Sequence, residues 1–241
     1  MGISIEKNWT IALVPAKMTS IRLPKKNIAN FHGHPLFYYS VKAAQLAKHV
    51  SSVYVSSESN EVSELTKNFK ANFIKRPEYL SLPKIKNIDV LIHALENISI
   101  QSEAFPEFIV LLQPTHPLRN PLDIDKAIEL LKNDKKADVL ISVISDNRLS
   151  GEIENNRYIS QYLSSRNKRA KPESYINTGS FYIFRTSTTI LQGRIFTENI
   201  LPYKLDNPEF EIDIDYKSDF ELAKCMLEIN KDKFSFYWDD I

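Results

Sequence analysis

The chain has 241 residues, 43% of them hydrophobic, enough to bury a sizeable core as one domain and contrary to intrinsic disorder. Its 31 Lys and Arg offset 30 Asp and Glu, so the net charge of +1 gives no general attraction to nucleic acid or an anionic membrane, and any basic function must be local. The single cysteine, Cys225, excludes an intrachain disulfide and suits a reducing compartment; it is expected to pack within a helix. Residues 1–10 are polar, without the apolar core of a signal peptide, and no run approaches the roughly 20 apolar residues of a spanning helix. The expectation is a soluble, cytoplasmic protein with no membrane partner.

In chain order, residues 11–14 predict a strand, 35–47 a helix with Pro35 near its first turn, 53–57 a strand, and 60–69 a helix capped by Asn60. Residues 72–74 predict a short strand, 88–97 a helix, 108–112 a buried strand, 121–132 a helix opened by Pro121, and 139–143 another buried strand. The alternation breaks over about 145–175, which holds a short apolar pattern at 158–163 and a basic run at 166–171. A long insertion of this kind in a compact α/β domain is a lid or an oligomer contact, or else mobile. Residues 180–184 then return as a strand, and 216–230 close the chain as a helix with apolar Phe220, Leu222, Ala223, Met226 and Leu227. This order implies an α/β fold with a doubly wound, mostly parallel sheet.

The first strand runs into a basic, proline-punctuated loop, Val14-Pro-Ala-Lys-Met-Thr-Ser-Ile-Arg-Leu-Pro-Lys-Lys-Asn27. Open α/β sheets bind ligands beyond the carboxyl ends of their strands, so Lys17, Ser20, Arg22, Lys26 and Asn27 are placed to hold a polyphosphate. No Gly-rich dinucleotide loop or Walker loop is present, and the alternative is a solvated basic loop. In Glu211-Ile-Asp-Ile-Asp215, alternation would put three carboxylates on one face, a site for Mg²⁺ completed by phosphate oxygens or else an acidic face before a helix. In Leu111-Leu-Gln-Pro-Thr-His-Pro-Leu-Arg119, Gln113 falls at a strand's carboxyl end, where its amide can contact substrate. His116, set between prolines, reads as a surface or packing residue before it reads as a base.

Together these segments resemble the acylneuraminate cytidylyltransferases, the synthetases of CMP-sialic and related CMP-nonulosonic acids. The resemblance spans residues 11–227 and rests on Pro15-Ala-Lys17 through Pro24-Lys-Lys-Asn27, Gly33-His-Pro-Leu36, Val55-Ser-Ser57, Lys75-Arg-Pro77, Ile92-His-Ala-Leu-Glu96, Leu111-Leu-Gln-Pro-Thr115 with Pro117-Leu-Arg119, Asn177-Thr-Gly-Ser-Phe-Tyr182 and Ile212-Asp-Ile-Asp215. It implies a single Rossmann-like domain over residues 1–241 with a dimerisation or lid excursion near 145–175. It also implies transfer of CMP from CTP to the anomeric hydroxyl of a nine-carbon α-keto acid sugar, with Mg²⁺ and release of pyrophosphate.

Carried over residue by residue, the resemblance makes Lys26, Arg22 and Asp215 catalytic. Lys17, Ser20, Arg22, Lys26, Asn27, Arg76 and Asn87 would bind nucleotide, and Asp213 with Asp215 the metal. Gln113 and Tyr182 would face the sugar, with Arg169 or Lys171 reaching it from the second subunit of a homodimer. Departures from the family pattern are Lys17 for an arginine, Ile21 for a lysine, Arg22 for a glycine and His116 for a serine. Lys84 and Lys86 stand in a usually Ser-rich stretch, as substitute phosphate contacts or as signs of altered function. The alternatives are a related nucleotidyltransferase for an eight-carbon keto acid or a sugar phosphate, and an inactive nucleotide-binding subunit.

Overall fold

Ile11 and Leu13 pack on one face of a central sheet while Ala12 and Val14 pack on the other, so the first strand is buried on both sides. That is the environment its uninterrupted apolar run predicts. The computed structural model describes residues 4–146, 148, 151–160 and 173–238. Its elements are β1 (Ser4–Pro15), β2 (Asn30–Phe31), β3 (His34–Pro35), α1 (Leu36–Leu46), β4 (Ser52–Ser57), α2 (Asn60–Asn68), β5 (Asn72–Lys75), α3 (Asn87–Ser102), β6 (Ala104–Leu111), α4 (Pro121–Asn133), β7 (Val139–Asp146), β8 (Gly151–Glu154), β9 (Arg157–Ser160), β10 (Ser174–Arg185), β11 (Ile200–Lys204) and α5 (Lys217–Ile229).

Seven strands form one sheet in the order β11-β7-β10-β6-β1-β4-β5. Neighbours run parallel except β10, which is antiparallel to both β6 and β7. Residues of α1, α2, α4 and α5 join the core on one face and residues of α3 the core on the other, so the sheet is doubly wound in a Rossmann-like fold. From β1 the chain steps outward to β4 and β5, then returns to place β6 on the opposite side of β1. The two crossovers leave a crevice at the carboxyl ends of β1 and β6, where ligands bind in such sheets.

Several local expectations change. The polar residues before Thr10 extend β1, pairing with β6 across a register shift between Glu6 and Thr10. The cap of α2 is Ser59, whose hydroxyl accepts the Glu61 and Val62 N–H groups, rather than Asn60, which lies inside the helix. Phe220, Ala223 and Leu227 form the buried stripe of α5, whereas Leu222 and Cys225 are exposed. A residue two positions after Phe220 is turned about 200° from it around a helix, so Leu222 faces solvent. The edge strand β11 has no counterpart in the sequence reading; it alternates weakly and contains Pro202, tolerated at an edge where no ladder partner is needed.

The excursion contributes the hairpin β8–β9, a two-stranded sheet outside the main one, with Ile153, Tyr158 and Ile159 exposed. Arg166, Arg169 and Lys171 lie outside the described residues. No helix among the described residues is long and apolar enough to cross a membrane.

Candidate active site

Lys25 adopts a left-handed conformation that turns the loop after β1 into a 3₁₀ turn, Lys26–Ile28, and carries the Lys26 side chain inward. Its ammonium donates to the Ile214 carbonyl and to Asp215 Oδ1, 3.3 Å away. Arg22 Nη2 lies 2.8 Å from the other carboxylate oxygen, and its guanidinium sits 5.5 Å above the Tyr216 ring. The basic loop therefore meets the C-terminal acidic segment along one open crevice of about 560 Å³. All the residues expected to contact nucleotide, Lys17, Ser20, Arg22, Lys26, Asn27, Arg76 and Asn87, line this crevice, as do Gln113 and Asp215. Burial and the neighbouring Arg76 charge lower the Lys17 pKa.

Lys84 and Lys86 are exposed, and neither lines the crevice; Pro83, Ile85 and Asn87 do. Alternate residues of this turn thus line the crevice, with Lys84 and Lys86 exposed between them. Ile21 is exposed at the crevice mouth.

Sequence reasoning missed Glu58. Its carboxylate accepts the Met18 N–H at 2.8 Å, the Ser81 hydroxyl at 2.6 Å and Arg76 Nη2 at 3.3 Å. Burial pushes this carboxyl up, but the Ser81 hydroxyl, backbone N–H groups and Arg76 outweigh it and hold the pKa below its ordinary value. An acidic residue just past the end of β4, on the same side as the basic loop, was the available signal.

Tyr182, His116 and Asp213 cluster beside the loop of Gln113, outside the residues that line the crevice. Gly179, at φ +78, brings β10 close to the imidazole: a Cβ there would lie 3.4 Å from His116 Cε1 and 3.7 Å from the Tyr182 hydroxyl. That hydroxyl accepts from Asn177 Nδ2 at 3.1 Å. His116 Nδ1 is 3.8 Å from Asp213 Oδ1, and burial with the Arg119 charge pulls the imidazole down to about 3. A histidine neutral through the physiological range packs and donates a hydrogen bond; it is not tuned as a base. Behind this wall, Arg119 is fully buried and donates to the Ser180 carbonyl at 2.6 Å, the Ser40 hydroxyl at 2.8 Å and the Gln113 carbonyl. It fixes the loop from which Gln113 projects.

The acidic segment is irregular, not a strand, and the expected single face breaks at Glu211. After the 3₁₀ turn Pro208–Phe210, Glu211 has φ −82 and ψ 68, which directs it into a separate cavity of about 260 Å³ with Arg119 and Asp123. There burial pushes its carboxyl up to about 7. Asp215 lines the crevice, and Asp213, which does not, lies across the buried Ile214, whose N–H donates to the Thr115 carbonyl at 2.9 Å. Burial, with the Asp215 charge adding to it, raises the Asp213 pKa. Among the described residues no three or more His, Cys, Asp or Glu converge to hold a metal by themselves. Two neighbouring carboxylates beside a basic crevice are a donor set that Mg²⁺ could use, since it takes one or two carboxylates with other oxygens and water.

The cytidylyltransferase family profile matches residues 11–238. An N-acylneuraminate cytidylyltransferase of Escherichia coli O18:K1:H7 is 29% identical over 236 residues, covering 94% of this chain and 54% of that protein. A CMP-N,N'-diacetyllegionaminic acid synthase of Legionella pneumophila is 28% identical, with coverage of 92% and 97%. A pseudaminic acid cytidylyltransferase of Campylobacter jejuni is 25% identical, with coverage of 91% and 97%. The chain thus spans about half the E. coli protein and nearly all of the other two. Among solved structures, a CMP:2-keto-3-deoxy-manno-octonic acid synthetase complexed with CTP superposes with a TM-score of 0.67 at 16% identity, over 92% of this chain and 99% of that one. A 4-diphosphocytidyl-2C-methyl-D-erythritol synthase gives 0.67 at 11% identity, over 92% and 100%; both likenesses concern the fold. With its profile match running nearly end to end and its basic loop closed against Asp215, the chain belongs to the cytidylyltransferase family.

Proposed function

We propose that this cytidylyltransferase transfers CMP from CTP to the anomeric hydroxyl of a nonulosonic acid, a nine-carbon α-keto acid sugar, and releases pyrophosphate. The observation that carries the reading is one crevice lined by Lys17, Arg22, Lys26, Arg76 and Asp215. Its four cations suit a triphosphate.

In the reaction the hydroxyl oxygen forms a bond to the α-phosphorus while the bond from that phosphorus to the bridging oxygen of pyrophosphate breaks. Lys26 and Arg22 stabilise charge on the phosphates, with Lys17 and Ser20 beside them. Asp215 is the carboxylate we assign to draw off the hydroxyl proton. Mg²⁺ held by Asp213 and Asp215 would supply further charge stabilisation at the phosphates. Asn27, Arg76 and Asn87 would position the nucleoside, and Gln113 and Tyr182 the sugar.

The relatives named for N-acylneuraminate, diacetyllegionaminic and pseudaminic acids support a nine-carbon acceptor. The exposed apolar residues of β8–β9 support a homodimer. In it, Arg169 or Lys171 of the partner subunit would meet the sugar carboxylate. The lone cysteine and the lack of a spanning helix among the described residues accord with a cytoplasmic enzyme.

The test is pyrophosphate release from CTP with Mg²⁺ across N-acetylneuraminic, legionaminic, pseudaminic and eight-carbon keto acids, with the other nucleoside triphosphates as controls. Release with CTP and one nine-carbon acid is expected. Release only with the eight-carbon acid would overturn the acceptor assignment, and CTP binding without any release would indicate an inactive subunit.

A further inference from the structure

Two cations share the Asp215 carboxylate, and the fold holds them very differently. Lys26 Nζ lies 3.3 Å from Oδ1, donates as well to the Ile214 carbonyl, and belongs to a side chain only 9% exposed. Arg22 Nη2 lies 2.8 Å from Oδ2, but its side chain is 55% exposed and its guanidinium rests over the exposed Tyr216 ring. An exposed ion pair adds little to stability and breaks readily, whereas an enclosed lysine bonded to a backbone carbonyl stays where it is. Arg22 also lines the crevice, so a polyphosphate bound there comes within its reach.

We infer that Arg22 closes Asp215 to metal while the crevice is empty and releases it when a triphosphate arrives, so that the divalent cation enters with the nucleotide and not ahead of it. The inference rests on the crevice being the nucleotide site. In the empty crevice each Asp215 oxygen has a cation beside it, so an approaching metal ion meets two positive charges at its ligand. A triphosphate carries more charge than one carboxylate and can accept both arms of a guanidinium, so it draws Arg22 away. Two changes at Asp215 then favour a metal: one positive charge leaves its side and several negative ones arrive. Lys26, still tied to the Ile214 carbonyl, keeps the carboxylate in place, and Oδ2 is the atom offered to the metal. Metal and nucleotide then strengthen each other's binding by the same factor.

The test takes Mn²⁺ as the probe, with the free ion measured by electron paramagnetic resonance in the absence of nucleotide. The proteins are wild type, Arg22→Met, Arg22→Lys and the double variant Arg22→Met with Asp215→Asn. Wild type and Arg22→Lys are expected to bind Mn²⁺ weakly. Arg22→Met is expected to bind it about tenfold more tightly, the order of effect of removing one charge beside a partly exposed site, and the double variant to lose that gain. Because Arg22 is largely exposed, Arg22→Met should keep the wild-type thermal midpoint. Calorimetric titration of CTP, with Mg²⁺ or with a chelator and without acceptor sugar, reads the converse. The strengthening by Mg²⁺ should be about tenfold smaller in Arg22→Met than in wild type, since binding of Mg²⁺ to free CTP is common to both and cancels. Equal Mn²⁺ affinities in wild type and Arg22→Met would overturn the inference, and a gain that survives Asp215→Asn would do so by placing the metal elsewhere. A wild type that binds CTP under neither condition would overturn the nucleotide-site reading, and this inference with it.

Discussion

Lys26 Nζ and Asp215 Oδ1 lie 3.3 Å apart although 189 positions separate them in the chain. The lysine side chain is 9% exposed and the aspartate 30%, so the ammonium is largely enclosed and shares its carboxylate with Arg22. An enclosed cation loses less to water than a surface one and attracts phosphate oxygens more strongly. The contact thus joins the basic loop after β1 to the segment that carries Asp213 and Asp215.

Replacing Lys26 by Met should lower kcat/KM for CTP by about 10²–10³, the size of effect seen when one charge-stabilising donor is removed from a reaction site. Arg22 still neutralises Asp215 in this variant, so the circular dichroism spectrum should stay native. Initial rates of pyrophosphate release within threefold of wild type would remove Lys26 from the phosphate site.

Asp213→Asn and Asp215→Asn should each reduce turnover by about 10²–10³ at saturating Mg²⁺. Binding of CTP in the presence of a chelator should hold or strengthen, because a carboxylate repels the triphosphate when no metal lies between them. Titration of CTP with and without Mg²⁺ checks both directions. Weakened metal-free binding that parallels the loss of turnover would assign these residues to the shape of the crevice instead.

Arg119→Met should destabilise the fold by roughly 3–5 kcal/mol, since it removes a fully buried cation and its bonds to the Ser180 carbonyl and the Ser40 hydroxyl, while the Gln113 carbonyl keeps the Ser40 hydroxyl and the His116 N–H. Urea denaturation of the variant and wild type measures the difference. A loss under about 1 kcal/mol would mean that water replaces the guanidinium at those acceptors.

Glu58 should also leave a signature in the pH dependence of stability. Its folded pKa lies below the ordinary value of 4.5, so its contribution is present above that pH and lost as pH falls through the folded value. The gap in thermal midpoint between wild type and Glu58→Gln should therefore be widest near neutrality and close below about pH 4.5. A gap that stays constant from pH 7 to pH 4 would contradict a carboxylate held ionised by Arg76 and Ser81.

The buried strands and the crevice loops were legible because their signals are local. Four consecutive apolar residues at 11–14 belong in a sheet covered on both faces, and a basic loop directly after them falls at the ligand end of that sheet. The same reasoning failed at Glu211, where strict alternation presumes an extended chain and a 3₁₀ turn intervenes. It failed at Leu222 because apolar character was counted without its angle around the helix. It passed over β11, whose weak alternation gains a partner only once β7 is in place.

The sequence by itself determined the layered α/β architecture, the position of a basic loop at the carboxyl end of the first strand and the family to which its ordered motifs point. Periodicity and loop composition depend on neighbours a few residues away, so one chain suffices to reveal them. Only the tertiary structure decided which charges meet: Lys26 with Asp215, Arg119 with three acceptors from separate elements, and Glu58 with both the Lys17–Met18 peptide and Arg76. Such pairings depend on where crossovers bring distant segments together. Burial then turns ordinary side chains into groups with fixed hydrogen-bonding direction, because a polar atom withdrawn from water must find its partner within the protein or in its ligand.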